Sequence, residues 1–259
     1  MFFKKMVNKF FFDKNGYALL KTNLKNNLKF NKLCIEIESV LKKEIKKTNL
    51  KKLGGYIVGN LNINQGHFGP KLYSIIFKNE FKKYFESLIL KKLSLFDVRH
   101  GGNLALPKKG NQLFHIDGSY KSEMYLVSIA TEDITLDNGP TEICVGSHIK
   151  QMSFDKFFFN KKIKKKLIMK RGQILIRKHN LWHRGTENLS SKPRLLLSFI
   201  ITLKNKKNKI NQMNPKFKIL HNSFKNDLIG RFHESVYAKY SFVIIIMKLL
   251  VSFKKKFFN

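Results

Sequence analysis

The chain has 259 residues and a mass of 30.4 kDa, with 43% hydrophobic and 13% aromatic residues, enough for one sizeable core in a single domain. Charged residues at 26% and a mean hydropathy of -0.28 exclude a polytopic membrane protein and a wholly disordered chain. Two cysteines, Cys34 and Cys144, exclude a disulfide framework and a four-cysteine zinc site and fit a reducing, cytoplasmic compartment. The unusual quantity is the net charge, +34 from 51 Lys+Arg against 17 Asp+Glu. It gathers in the flanks: residues 1–60 carry 14 basic and 4 acidic side chains, and residues 201–259 carry 13 and 2. In the middle, seven bases lie in Lys161–Arg171 with no acid among them. Such flanks attract acidic lipid, nucleic acid or an anionic substrate. Lys, Asn, Ile and Phe also dominate together, a pattern that A/T-rich coding produces without selection for a polyanion.

The N-terminus, MFFKKMVNKFFF, is broken by Lys4, Lys5 and Lys9 and reads as an opening strand or helix rather than a secretion signal. Asn31–Lys47 is expected to be a helix capped by Asn31, with an apolar stripe through Cys34, Ile35, Ile37, Val40, Leu41 and Ile45. A second helix is expected within Asn79–Lys92. From Leu93 the texture changes to short apolar runs separated by Gly, Asn, Asp and Pro: Ser94–Val98, Leu113–Ile116, Met124–Ala130, Thr141–Val145, Leu167–Lys170, Gln173–Arg177 and Arg194–Leu203. Seven short strands with turns between them predict a β-sandwich or jelly roll. The class is therefore α+β, mainly β: helical and strand decoration over 1–93, a core over 94–203, and a basic extension over 204–259. Phe242–Phe253 is apolar apart from Lys248 and Ser252 and is followed by Lys254–Lys256. It is shorter than the ~20 residues that span a bilayer. It is expected as a buried C-terminal helix, with peripheral contact to the inner face of an acidic membrane, lysines snorkelling, as the alternative.

The chemistry begins at His115-Ile116-Asp117. On a strand, side chains two apart share a face, so one nitrogen and one oxygen ligand are offered together. His183 follows 66 residues after Asp117, just beyond the apolar run Gln173–Arg177. Two His and one carboxylate leave three octahedral positions open, which is the ligand set of non-haem Fe(II) oxygenases. Arg194 then heads an otherwise apolar strand. Turned inward it would need a carboxylate partner, a role that the far carboxylate of an iron-chelating 2-oxo dicarboxylate fills with a bidentate fork.

With these residues, the segments Phe114–Gly118, Asp137–His148 (with its Asn-Gly-Pro turn, short strand and Gly-Ser-His) and Gly172–Ile176 leading to His183 and Arg194 resemble the phytanoyl-CoA dioxygenase family of Fe(II)/2-oxoglutarate oxygenases. The resemblance covers roughly residues 94–203. It implies a double-stranded β-helix (jelly-roll) core, to which the sequence pattern adds N- and C-terminal helices, with Fe(II) on His115, Asp117 and His183, 2-oxoglutarate anchored by Arg194, and O2 as oxidant. It also implies hydroxylation of a small-molecule or carrier-linked substrate (acyl-CoA, sugar or lipid-like), with 2-oxoglutarate decarboxylated to succinate. Val145 stands where a Pro often precedes Gly-Ser-His, and Gly185 where a hydroxyl side chain often helps hold 2-oxoglutarate; Thr186 or Ser198 is expected to substitute, with Gln112 and Asn103 as further contacts. His148 is expected to be structural, bonding near the Asn138–Gly139 turn, and His100 and His179 to sit in loops at the barrel mouth. Phe154–Phe159 is expected to form a lid or plug, and Lys161–Lys166 a solvated loop. The rivals are a non-catalytic basic jelly roll that binds acidic membrane or another polyanion, without a specific nucleic-acid motif, and a cupin-like protein with another metal, in which Arg194 has no task.

Overall fold

The computed structural model describes residues 3–5, 8–50, 52–53, 60–160, 163–204, 215–221, 228–229, 232, 236 and 241–257. Three short elements open the chain: β1 (Phe3–Lys5), α1 (Lys9–Asn15) and β2 (Tyr17–Thr22). The helix α2 (Leu28–Lys47) starts three residues before the sequence expectation. Its cap is Asn27, whose side chain accepts the Phe30 N–H at 3.0 Å, while Asn31 lies inside the helix and donates to the Lys25 carbonyl. Strand β3 (Asn60–Asn64) and helices α3 (Phe68–Ile76) and α4 (Asn79–Ile89) precede the strands β4 (Phe96–Ala105), β5 (Met124–Ala130) and β6 (Thr141–Cys144). A short α5 (Phe154–Phe158) leads to β7 (Lys164–Leu167), β8 (Ile174–Lys178), β9 (His183–Gly185), β10 (Arg194–Leu203) and β11 (Lys218–Leu220), and α6 (Ser241–Phe257) closes the chain.

The strands form two antiparallel sheets, a large one in the order β1-β2-β8-β5-β10-β4-β3-β11 and a small one in the order β7-β6-β9. This is the α+β, jelly-roll arrangement that the strand pattern predicts. Strand alternation sorts the side chains of the large sheet. Along β10, Leu195, Leu197, Phe199 and Ile201 join the core shared with α2, α3 and α4, while Leu196 joins the apolar cluster that includes Ile143 and Leu167 of the small sheet. Arg194 and Ser198 share that inward parity. The same rule on β8 sends Ile174 and Ile176 toward the helices and Leu175 inward, so Arg177 also faces the interior.

Four further expectations change. Strand β4 runs to Ala105 through Gly101 and Gly102, because the backbones pass so closely there that a Cβ at 102 would sit 2.7 Å from the Leu196 carbonyl oxygen. Leu113–Ile116 is no ladder strand; it holds one isolated bridge, His115 to His183. The Lys-rich run contributes β7 at Lys164–Leu167, while Met169 makes only a bridge to Ile134. The C-terminal helix forms but is not buried: Phe242, Ile246, Met247, Leu250, Val251 and Phe253 are all exposed. Among the described residues no helix is long and apolar enough to cross a membrane.

Candidate active site

The bridge between His115 and His183 joins the loop after β4 to the edge of the small sheet, with backbone N–H···O bonds of 2.9 and 3.0 Å in both directions. It sets the two imidazoles side by side, ring centroids 4.4 Å apart. The Asp117 N–H then donates to the His179 carbonyl at 2.9 Å, which turns the carboxylate toward the pair. The Asp117 oxygens lie 3.9 Å from His115 Nε2 and 3.5 Å from His183 Nε2. One ligand atom from each of His115, Asp117 and His183 can be chosen so that all lie within 4.8 Å of one another. His183 is buried, whereas His115 and Asp117 keep about a third of their side-chain surface open, so the cluster is reachable from one side.

The donor chemistry suits a metal. His115 Nδ1 donates to its Leu113 carbonyl at 2.8 Å and His183 Nδ1 to the Leu181 carbonyl at 2.9 Å. A neutral ring that donates from Nδ1 keeps its lone pair on Nε2, and both Nε2 atoms face Asp117. An Arg177 nitrogen lies 3.3 Å from His183 Nδ1; two donors cannot bond each other, and the shorter carbonyl bond decides the tautomer. Desolvation lowers both histidine pKa values, that of His183 well below its ordinary value, and the Arg177 charge adds to this, which keeps both rings neutral as metal ligation requires. Burial works against the ionised Asp117, but the Arg177 guanidinium, through its charge and its hydrogen bond, leads the lowering contributions, with smaller ones from the two imidazoles beside it, and the net effect holds the carboxyl below the ordinary range. Arg177 donates to its Oδ2 at 2.7 Å.

Arg194 is only 2% exposed. Its Nε donates to the Asn138 carbonyl at 3.3 Å, one terminal nitrogen to Asn103 Oδ1 at 3.2 Å, and the other to the Gly139 carbonyl. Burial lowers its pKa to about 10, with Glu132 opposing, so it stays cationic at neutral pH. Within the protein, two carbonyls and an amide oxygen hold it. They take three of its five N–H donors and leave two.

The other expected contacts are spent largely on the fold. Gln112 Oε1 accepts the Gly185 N–H at 2.8 Å, the Thr186 hydroxyl donates to the Pro140 carbonyl at 2.7 Å, and Ser198 pairs with Ser128 at 2.8 Å. A side chain at Gly185 would strike Asn60 Oδ1 at 2.7 Å, which explains why no hydroxyl stands there. His148 bonds the Asp13 carbonyl at 2.8 Å and not the Asn138–Gly139 turn. His100 lies in β4 against Tyr73 and Phe199 rather than in a mouth loop. His179 is buried, with its ring bonded to the Met124 and Ser119 carbonyls. Trp182 packs beside His183: Phe157 of α5 stacks on it at 4.2 Å, and its N–H donates to the Tyr120 hydroxyl at 2.9 Å.

Residues 12–196 match the family model described as phytanoyl-CoA dioxygenase (PhyH). The chain belongs to the phytanoyl-CoA dioxygenase family. It is an Fe(II)/2-oxoglutarate-dependent oxygenase by that membership and by its two-His, one-carboxylate cluster. Solved structures share the fold. The epimerase SnoN, in complex with Fe3+, alpha ketoglutarate and nogalamycin RO, is 12% identical over 83% of this chain and 94% of its own, with a TM-score of 0.61. EctD from S. alaskensis with bound Fe is 14% identical over 83% and 85%, with a TM-score of 0.57. EvdO2 from Micromonospora carbonacea var. aurantiaca, complexed with 2-oxoglutarate, is 10% identical over 79% and 94%, with a TM-score of 0.54.

Within this family member the residue that sequence reasoning passed over is Arg177. A signal was present: Arg177 ends the apolar run Gln173–Arg177, and its spacing from Leu175 turns it inward. Tyr120 and His179 carried no comparable signal, because their partners come from distant loops.

Proposed function

We propose that the chain hydroxylates a C–H bond of a small-molecule or carrier-linked, anionic substrate, with Fe(II) on His115, Asp117 and His183 and with 2-oxoglutarate and O2 as co-substrates. The observation that carries this is the pair of imidazoles locked by backbone carbonyls with both Nε2 atoms aimed at one carboxylate. The bound iron supplies the oxidative decarboxylation of 2-oxoglutarate to succinate and CO2, coupled to insertion of one O2 oxygen into the substrate. The protein supplies the rest. Arg177 holds Asp117 ionised and aimed. Arg194 offers its two remaining N–H donors to the far carboxylate of 2-oxoglutarate, so the co-substrate is oriented before reaction. Gln112, Thr186 and Ser198 shape the wall around it. Trp182 and Phe157 close an apolar side that excludes water from the reacting atoms. The two cysteines, Cys34 and Cys144, both buried, suit a cytoplasmic setting.

The test is anaerobic addition of Fe(II) and then 2-oxoglutarate to the purified protein while the visible spectrum is recorded. A charge-transfer band that needs both additions and disappears in His115→Ala is expected, and Asp117→Ala should lose coupled turnover. No band from well-folded protein, or full activity in Asp117→Ala, would refute the assignment and put the basic, non-catalytic scaffold first.

A further inference from the structure

The C-terminal helix α6 is amphipathic the wrong way round for a soluble protein. At ~100° per residue, Lys248 and Ser252 fall on one side, and this is the side that meets α5. Lys248 Nζ lies 5.4 Å from the Phe154 ring centroid, and the Ser252 hydroxyl donates to Asp155. The opposite arc, roughly half the circumference, carries Phe242, Ile246, Met247, Leu250 and Val251, all 44–62% exposed. On the neighbouring α5, Phe158 is 48% exposed, and Phe159, which follows it, is 67% exposed. An exposed apolar helix face of this kind, with further exposed rings on α5, marks an interaction site.

Charge chooses the occupant. The same corner holds a cleft of about 490 Å³ whose lining includes Lys150, Lys156 and Phe159, so cations and an exposed ring stand together. The strand that follows α5 in the chain, β7, carries the exposed lysines Lys164, Lys165 and Lys166, and the sequence of α6 carries Lys254-Lys255-Lys256 near its end. A second copy of a chain with net charge +34 would be repelled, whereas an anionic bilayer offers hydrocarbon to the apolar arc and phosphate to the lysines. We propose that the α5–α6 corner docks on an acidic membrane surface, with the outer arc of α6 set into the headgroup–acyl boundary and Lys150 and Lys156 on lipid phosphates. Because α5 also carries Phe157 onto Trp182, the docked face adjoins the wall of the metal centre. The docking itself needs neither metal nor turnover.

The experiment is vesicle flotation of the full-length protein at about 0.15 M salt, which screens long-range attraction. Two vesicle types serve, phosphatidylcholine alone and phosphatidylcholine with roughly a quarter phosphatidylglycerol. Wild type is expected to float with the acidic vesicles. Ile246→Gln/Leu250→Gln keeps charge and helix propensity and should weaken partition by about tenfold or more. Lys150→Gln/Lys156→Gln should reduce the preference for acidic over neutral vesicles. Circular dichroism confirms that each variant is folded. Wild-type partition in the Gln pair on α6 would mean that bulk charge alone binds and would overturn the proposal. So would absence of wild-type binding, or self-association of the wild type that the same Gln pair abolishes, which would make a second copy the occupant.

Discussion

Replacing Arg194 by lysine separates its two tasks. The guanidinium is buried and its three occupied donors fasten Asn138, Gly139 and Asn103, while the two others are assigned to 2-oxoglutarate. Lysine keeps the charge but offers three tetrahedral donors in place of a planar fork. A charge-assisted hydrogen bond is worth about 1.5–3 kcal/mol, so loss of one arm of the fork should weaken 2-oxoglutarate binding about 10- to 100-fold. The same substitution orphans at least one buried acceptor in the turn, at about 1–3 kcal/mol of stability. Both are measurable on one preparation: 2-oxoglutarate titrated into the Fe(II)-loaded protein under anaerobic conditions, read by the charge-transfer band, and urea unfolding without co-substrate. Fe(II) affinity should not change, because no metal ligand is touched. A lysine variant that binds 2-oxoglutarate as tightly as wild type, while its unfolding midpoint falls, would show that Arg194 only clamps the turn, and the assignment of its two spare donors would be wrong.

Two further outcomes follow from neighbours of that guanidinium. Gly139 has φ +81°, and a Cβ there would lie 2.8 Å from the Thr186 carbonyl oxygen. Gly139→Ala should therefore cost about 1–3 kcal/mol or more and, by shifting a carbonyl that holds Arg194, weaken 2-oxoglutarate binding but not Fe(II) binding; an unchanged unfolding midpoint would contradict this. Burial raises the pKa of Glu132 above its ordinary 4.5, only partly offset by the Leu195 N–H and by Arg194. A carboxyl raised in the folded state favours folding below the unfolded value and loses that contribution as pH climbs through the folded one. The stability of Glu132→Gln relative to wild type, from urea unfolding, should thus be higher at pH 7 than at pH 4, and a gap that is constant or reversed would contradict the reading.

What could be read in the sequence depended on whether local pattern and final packing agree. Met124–Ala130 and Arg194–Leu203 are strands with the expected bounds because each is a largely apolar run, mostly buried on both faces, and stopped by polar residues or Pro193. The triad was legible because its ligands sit in short local motifs. Other elements hide their cause. Helix α3 includes Gly69 and Pro70, which read as breakers, yet both fall in its first turn, where Pro loses no intrahelical bond. Strand β3, Asn-Leu-Asn-Ile-Asn, has only two apolar residues, and its place in the sheet comes from pairing with β4 and β11.

The two buried arginines show where sequence logic stops. A single rule, that an inward cation must find an anion, was applied to Arg194 alone. In the structure Arg177 is the one that meets a carboxylate directly, Asp117 at 2.7 Å, whereas Arg194 is held by neutral oxygens. The difference is set by what lies across the gap between the sheets: a charged ligand loop opposite β8, a glycine turn whose carbonyls accept from the guanidinium opposite β10. Neither partner is near in sequence, so only the closure of the small sheet over the large one assigns them. That closure sets one guanidinium on the carboxylate of the His115–Asp117–His183 cluster and, in the proposed function, leaves the other with two donors for the co-substrate's carboxylate.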